Sequence, residues 1–114
     1  MRLEVKKYLF DIQEAARLIL LFTEGLTFED YSGDPKSRSA VERQFMTMGE
    51  ALTKLSRIDP AIASSVSDDF RQIISFRNVL IHEYDAILDD VVWGVVETRL
   101  PSLLRAVEEL LSQE

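Results

Sequence analysis

Apolar residues recur at three- and four-residue steps almost from one end of this chain to the other, and this period constrains the fold more than any other feature. Four glycines and three prolines in 114 residues leave too little turn chemistry for many short strands. The pattern therefore predicts an all-α fold. A chain of this length, 46% hydrophobic, is expected to form one compact domain over residues 1–114. The longest unbroken apolar run, Leu18 to Phe22, is five residues, far short of the roughly 20 that a membrane span needs. The charged start Met1-Arg2-Leu3-Glu4 lacks the apolar core of a signal peptide, so a soluble cytoplasmic protein is expected.

The elements follow from period and punctuation. The first helix is predicted from about Glu4 to Glu24, with Val5, Tyr8, Leu9, Ile12, Ala16, Ile19 and Leu20 in one stripe and Gly25 as its left-handed stop. Residues Gly25 to Pro35 read as a loop of turn formers, held to the bundle by Phe28 and Tyr31. A second, basic helix fits Ser37 or Ser39 to about Arg57, with Val41, Gln44, Phe45, Met48, Ala51, Leu52 and Leu55 at helical spacing. Asp59-Pro60 supplies a cap and a first-turn proline for a short turn reaching about Ser65. A third long helix is expected from about Asp68 to Tyr84, and a last one from Val91 to about Ser112, bent or broken by Pro101. Trp93 and the valines around it are expected in the core or on a dimer surface. Short connections between such helices favour an antiparallel four-to-five-helix bundle.

Composition removes several kinds of chemistry. With no cysteine, disulfides, zinc-thiolate sites and thiol catalysis are excluded, and the single histidine, His82, excludes a multi-histidine metal site within one chain. Neither a metal nor a cofactor is expected. Adjacent carboxylates at Asp89-Asp90 and Glu108-Glu109 point about 100° apart on a helix, so they read as a dipole complement and a solvated face. A net charge of -7 argues against a protein that coats DNA by bulk electrostatics. That charge is uneven: residues 36–82 carry seven basic and five acidic side chains, whereas residues 83–114 carry two and eight. Lys36, Arg38, Arg43, Lys54 and Arg57 are therefore available to line a cleft and contact a polyanion, while the acidic ends repel one non-specifically.

The residues suited to chemistry lie between Phe70 and Leu88: Arg77, Asn78, His82, Tyr84 and Asp85. At about 100° per residue, Arg77 falls at the centre of the stripe made by Phe70, Ile73, Ile74, Leu80 and Ile81. An always-charged side chain there needs a carboxylate, a phosphate or a partner surface. Tyr84 returns to the same stripe two turns on, and Asn78, His82 and Asp85 form an adjacent one. Arg77 and His82 diverge by about 140° on an ideal helix, which predicts a composite site across a two-fold homodimer interface. Without metal, such a set fits phosphodiester cleavage in RNA, with imidazole moving protons, the guanidinium meeting the phosphorane oxygens, and the substrate's 2′-hydroxyl as nucleophile. Simpler roles stand beside these. Arg77 pairs structurally with Glu50 or Glu42, His82 lies on the surface or caps a helix, Tyr84 anchors a helix end, and Asn78 bonds between helices.

The run Arg77-Asn78-Val79-Leu80-Ile81-His82-Glu83-Tyr84 resembles the signature of HEPN-domain ribonucleases: Arg, a polar residue, three further positions, His, one residue, Tyr. The similarity is closest to the HepT-like toxins, encoded beside a minimal nucleotidyltransferase, the MntA-like antitoxin. It extends through Tyr8-Leu9-Phe10-Asp11-Ile12, Phe22-Thr23-Glu24-Gly25-Leu26-Thr27-Phe28, Ala40-Val41-Glu42-Arg43 and Gly49-Glu50-Ala51-Leu52. The resemblance implies a HEPN-like homodimer acting as a metal-independent ribonuclease toxin on tRNA or mRNA. Arg77 and His82 would be catalytic, Asn78 and Asp85 would support the site, and Tyr84 would be the tyrosine that the antitoxin modifies with AMP. Glu83 adds a negative charge beside His82 that raises its pKa or repels RNA. The competing expectations are a catalytically silent HEPN module that binds a nucleotidyltransferase and nucleotides through the same cleft, and a purely structural helical dimer.

Overall fold

A computed structural model of the chain describes residues 1–66 and 89–113, and every regular element among them is an α-helix. The first, α1, spans Leu3–Thr23. Its buried side chains include Val5, Leu9, Ile12, Ala16 and Ile19, the expected stripe, and the face is widened by Gln13 and Ala15. The helix ends where Gly25 takes φ +76°, a left-handed conformation that costs glycine nothing. Thr23 Oγ1 donates to the Ile19 carbonyl at 2.9 Å and lies 3.4 Å from the Leu20 carbonyl, an acceptor of the last turn.

The stretch expected as a loop contains a helix, α2, over Phe28–Ser32. Thr27 and Asp30, turn formers by composition, act here as a capping box: Asp30 N donates to Thr27 Oγ1 at 3.1 Å and Thr27 N donates to Asp30 Oδ2 at 3.0 Å. Five residues are too few to display a helical period, so only the cap signals them. Tyr31 is fully buried and Phe28 half-buried, as expected of residues holding this stretch to the bundle.

Helix α3 spans Pro35–Ile58 and starts earlier than the expected Ser37 or Ser39. Asp34 is its N-cap, accepting from Lys36 N at 3.2 Å and from Ser37 Oγ at 2.6 Å, and Pro35 occupies the first turn, where its missing N–H costs nothing. The Ser37 hydroxyl is the main reason that the Asp34 carboxyl is held below its ordinary pKa. Helix α4, Pro60–Val66, follows at once, with Asp59 Oδ1 accepting from Ile62 N at 3.1 Å.

The expected last helix is two, α5 over Asp89–Thr98 and α6 over Leu100–Ser112. Pro101 has no N–H to give to the preceding turn, and the chain breaks at Arg99, two residues before it. Helix α1 packs against α3 and α6, α3 against α4, and α2 against α3 and α5. Leu9, Ile12 and Ile19 of α1 share one core with Phe45, Met48 and Leu52 of α3, and Val92, Val96, Leu103 and Val107 close it. Arg17 Nη2 meets Glu108 Oε2 at 2.9 Å across the outside of α1 and α6. No helix among the described residues is long and apolar enough to cross a membrane.

Candidate active site and its flanks

Arg77, Asn78, His82, Tyr84 and Asp85, with the helix expected from Asp68 to Tyr84, lie outside the described residues. The structure does place the five basic candidates on α3, and it separates them into two groups. Counting about 100° per residue from Arg43, the positions of Lys36, Lys54 and Arg57 fall within about 40° of it, while Arg38 falls about 140° away. Lys36, Arg43, Lys54 and Arg57 are all exposed, along with Ser39, Thr47 and Glu50 on the same face. They make a basic stripe down the outer side of α3, about 30 Å long at 1.5 Å per residue. Glu50 is the one acid in that row, and Lys54 Nζ neutralises it at 3.2 Å.

Arg38 faces elsewhere. Its guanidinium donates to the Ser32 carbonyl of α2 and approaches Asp89 Oδ2 of α5 at 3.9 Å, while Ser32 Oγ donates to the same carboxylate oxygen at 3.2 Å. One arginine thus ties α2, α3 and α5 together. Asp89, expected only as a helix-dipole complement, is the acidic member of that tie. Beside it lies Tyr31, whose ring centroid is 5.2 Å from that of Trp93 and whose hydroxyl has no hydrogen-bond partner among the described residues. Burial pushes the Tyr31 phenol well above its ordinary pKa, the nearby carboxylates of Glu42 and Asp89 add to this, and Arg38 opposes it. The sequence carried a signal for this cluster that composition alone conceals: the angular offset of Arg38 from the other four cations.

Glu42, one turn after Arg38, is half-buried, and its pKa is raised first by desolvation, then by Asp89, with Arg38 acting in the opposite sense. The folded chain therefore holds this proton more tightly than the unfolded one. The sign follows: stability falls as pH rises from the ordinary glutamate value, about 4.3, through the raised folded value. Glu42→Gln is expected to raise the melting temperature at about pH 7 and to lose that advantage below about pH 4. Thermal melts of both proteins across this range check it, and an equal effect at both ends would refute the assignment.

Glu50, offered as a structural partner for Arg77, is occupied by Lys54 on the outer face, and Glu42 lies within the influence of Arg38 and Asp89. No three histidine or carboxylate side chains among the described residues group as a metal site.

A helical bundle whose sequence carries the Arg, His and Tyr signature defines the class of HEPN-type ribonuclease folds. Within that class, the family described as Ribonuclease HepT-like matches residues 12–110, and the chain belongs to it. It is 36% identical over 109 residues to a Thermococcus cleftensis protein named "Probable ribonuclease HepT", covering 92% of this chain and 94% of that one. It is also 29% identical over 108 residues to a Methanocaldococcus jannaschii protein named "Putative RNase MJ0127", covering 95% and 88%. No solved structure matches the chain.

Proposed function

We propose that the protein is a metal-independent RNA endonuclease and the toxin of a toxin–antitoxin pair. The observation that carries this reading is the family match across residues 12–110, a stretch that contains every position of the signature from Arg77 to Tyr84. Two copies form one cleft, each contributing Arg77 and His82. In the reaction, the RNA 2′-oxygen forms a bond to phosphorus as its proton passes to a neutral His82 imidazole. The bond from phosphorus to the 5′-oxygen breaks, and the protonated His82 of the other copy gives that oxygen its proton. Arg77, planar and bidentate, meets the charge that grows on the non-bridging oxygens. The products are a 2′,3′-cyclic phosphate and a 5′-hydroxyl, with no metal in any step. Asn78 and Asp85 support the two side chains.

The antitoxin of this reading is an MntA-type nucleotidyltransferase. It joins the α-phosphorus of ATP to the Tyr84 hydroxyl oxygen and releases pyrophosphate and a proton. The attached AMP places negative charge and bulk beside Arg77, where the RNA phosphate would sit. Purified protein is expected to cut tRNA or mRNA in EDTA and to leave cyclic phosphate ends. Cleavage that requires Mg²⁺ sinks the mechanism, and harmless expression of the isolated gene favours a silent binding module. Coexpression with the antitoxin is expected to shift the intact mass by whole AMP units, and the shift should vanish in Tyr84→Phe.

The basic stripe on α3 supports the RNA side of this reading, since four cations in one exposed row follow a phosphate backbone without reading its bases. Each of Lys36→Ala, Arg43→Ala, Lys54→Ala and Arg57→Ala is expected to lower the dependence of log affinity on log salt by about 0.7 for single-stranded RNA. Arg38→Ala should instead lower thermal stability and leave that slope unchanged. Binding isotherms at several salt concentrations distinguish the two groups, and an unchanged slope in all four variants removes the stripe from the RNA interface.

A further inference from the structure

Helix α1 buries one face and leaves a second, ordered one uncovered. Lys7, Phe10, Glu14, Arg17, Leu21 and Glu24 are spaced by three and four residues in alternation, the a and d positions of a heptad seam. Lys7, Phe10, Arg17, Leu21 and Glu24 are exposed and Glu14 is half-buried; Phe10 is 54% and Leu21 62% exposed, among the largest apolar exposures of the described residues. The seam therefore lies on the solvent side of α1, bordered by α6 where Arg17 also meets Glu108 at 2.9 Å.

We propose that a second copy of this chain docks on this seam with its own α1 antiparallel. The order of residues selects that occupant, because the seam complements itself when reversed. With the two-fold axis beside Ala15 and Ala16, Lys7 faces Glu24 of the second copy, Phe10 faces Leu21, and Glu14 faces Arg17, each pair occurring twice. Every charged layer then has opposite signs and the apolar side chains meet each other. The alternatives fail on charge. A parallel pair sets Lys7 on Lys7 and Glu14 on Glu14, and an antiparallel pair displaced by one heptad sets Lys7 opposite Arg17 and Phe10 opposite Glu14. Leu21 also forms one lip of a groove of about 690 Å³ that includes Leu20, Trp93 and Pro101, so the ring of the second copy's Phe10 has an apolar recess beside its partner. The contact is distinct in sequence from the signature at residues 77–84, and it does not depend on the proposed nuclease activity.

Sedimentation or light scattering at high micromolar concentration and low salt tests the pairing on the whole chain. Phe10→Glu is expected to reduce the particle mass twofold, whatever assembly the cleft itself requires, with an unchanged circular dichroism spectrum because Phe10 lies outside the core. Lys7→Glu should weaken the assembly, and Lys7→Glu combined with Glu24→Lys should restore it. The chain has no cysteine, so the register can be read directly. Phe10→Cys with Leu21→Cys should oxidise to a covalent dimer, whereas Phe10→Cys alone should not, its two copies lying about 16 Å apart along the seam. A wild-type monomer under these conditions, a mass unaffected by Phe10→Glu, no rescue by the charge exchange, or cross-linking by Phe10→Cys alone equal to that of the pair would each overturn the proposal. RNA cleavage in EDTA reads the proposed function separately, so failure of one is not failure of the other.

Discussion

His82→Ala is expected to reduce cleavage of RNA by at least about a hundredfold, and up to ~10⁴-fold, the range that positioned proton transfer contributes. The large value follows from there being one histidine per chain. In the proposed mechanism the same residue, drawn from two copies, supplies both the base that takes the 2′ proton and the acid that gives one to the leaving oxygen, so the substitution removes both. Single-turnover rates in EDTA, with excess protein, measure this without interference from product release. A second signature accompanies it: one imidazole must be neutral while the other is protonated. The wild-type rate should therefore trace a bell in pH centred near the His82 pKa, ordinarily about 6.5. Arg77→Lys should retain binding yet lose rate, because a point charge cannot offer two parallel donors to the phosphorane. A His82→Ala protein that cleaves as well as wild type would remove the histidine from the mechanism.

Phe45→Ala is expected to lower the stability of the bundle by about 3–5 kcal/mol. Phe45 is fully buried and belongs to the core that α1 and α3 share, so truncation loses both the transfer free energy of the ring and its packing. Against a total of about 5–15 kcal/mol for an ordinary domain, that is enough to populate the unfolded chain at moderate temperature. Phe10→Ala is the matched control, since the same ring removed from an exposed position should change stability by about 0.5 kcal/mol or less. Urea unfolding of the two variants at low protein concentration, where copies are apart, makes the comparison. Equal effects would contradict the assignment of the two faces.

Those two phenylalanines also show what a linear reading can see. The buried face of α1 and the core positions of α3 were legible because long helices repeat their period many times, and Gly25 marks a boundary by a left-handed conformation that favours glycine. Helix α3 starts earlier than its apolar period indicates: Asp34 and Pro35 belong equally to turns and to helix N-termini, and only the hydrogen bonds of Lys36 and Ser37 to Asp34 decide between them. Helix α2 is shorter than two turns and has no period to detect. A bend or a break is expected from Pro101, and the structure shows the break, at Arg99, since a proline in the first turn of a new helix serves as well as a kink in an old one. For the candidate site, the signature was legible as an ordered string. The different setting of Arg38 was legible only as an angular offset; its tie to Asp89 was not, because that partner comes from a distant part of the chain.

Trp93 is the only tryptophan of the chain, and its ring lies 5.2 Å from that of Tyr31 while lining the groove beside Leu21. The molecule thus carries an intrinsic fluorophore with an energy donor fixed next to it. Excitation transferred from Tyr31 reports whether α2 remains seated on α5, and the emission wavelength of Trp93 responds to what enters the groove. Loosening of that junction and docking at α1 can therefore be followed optically in the unlabelled wild-type protein.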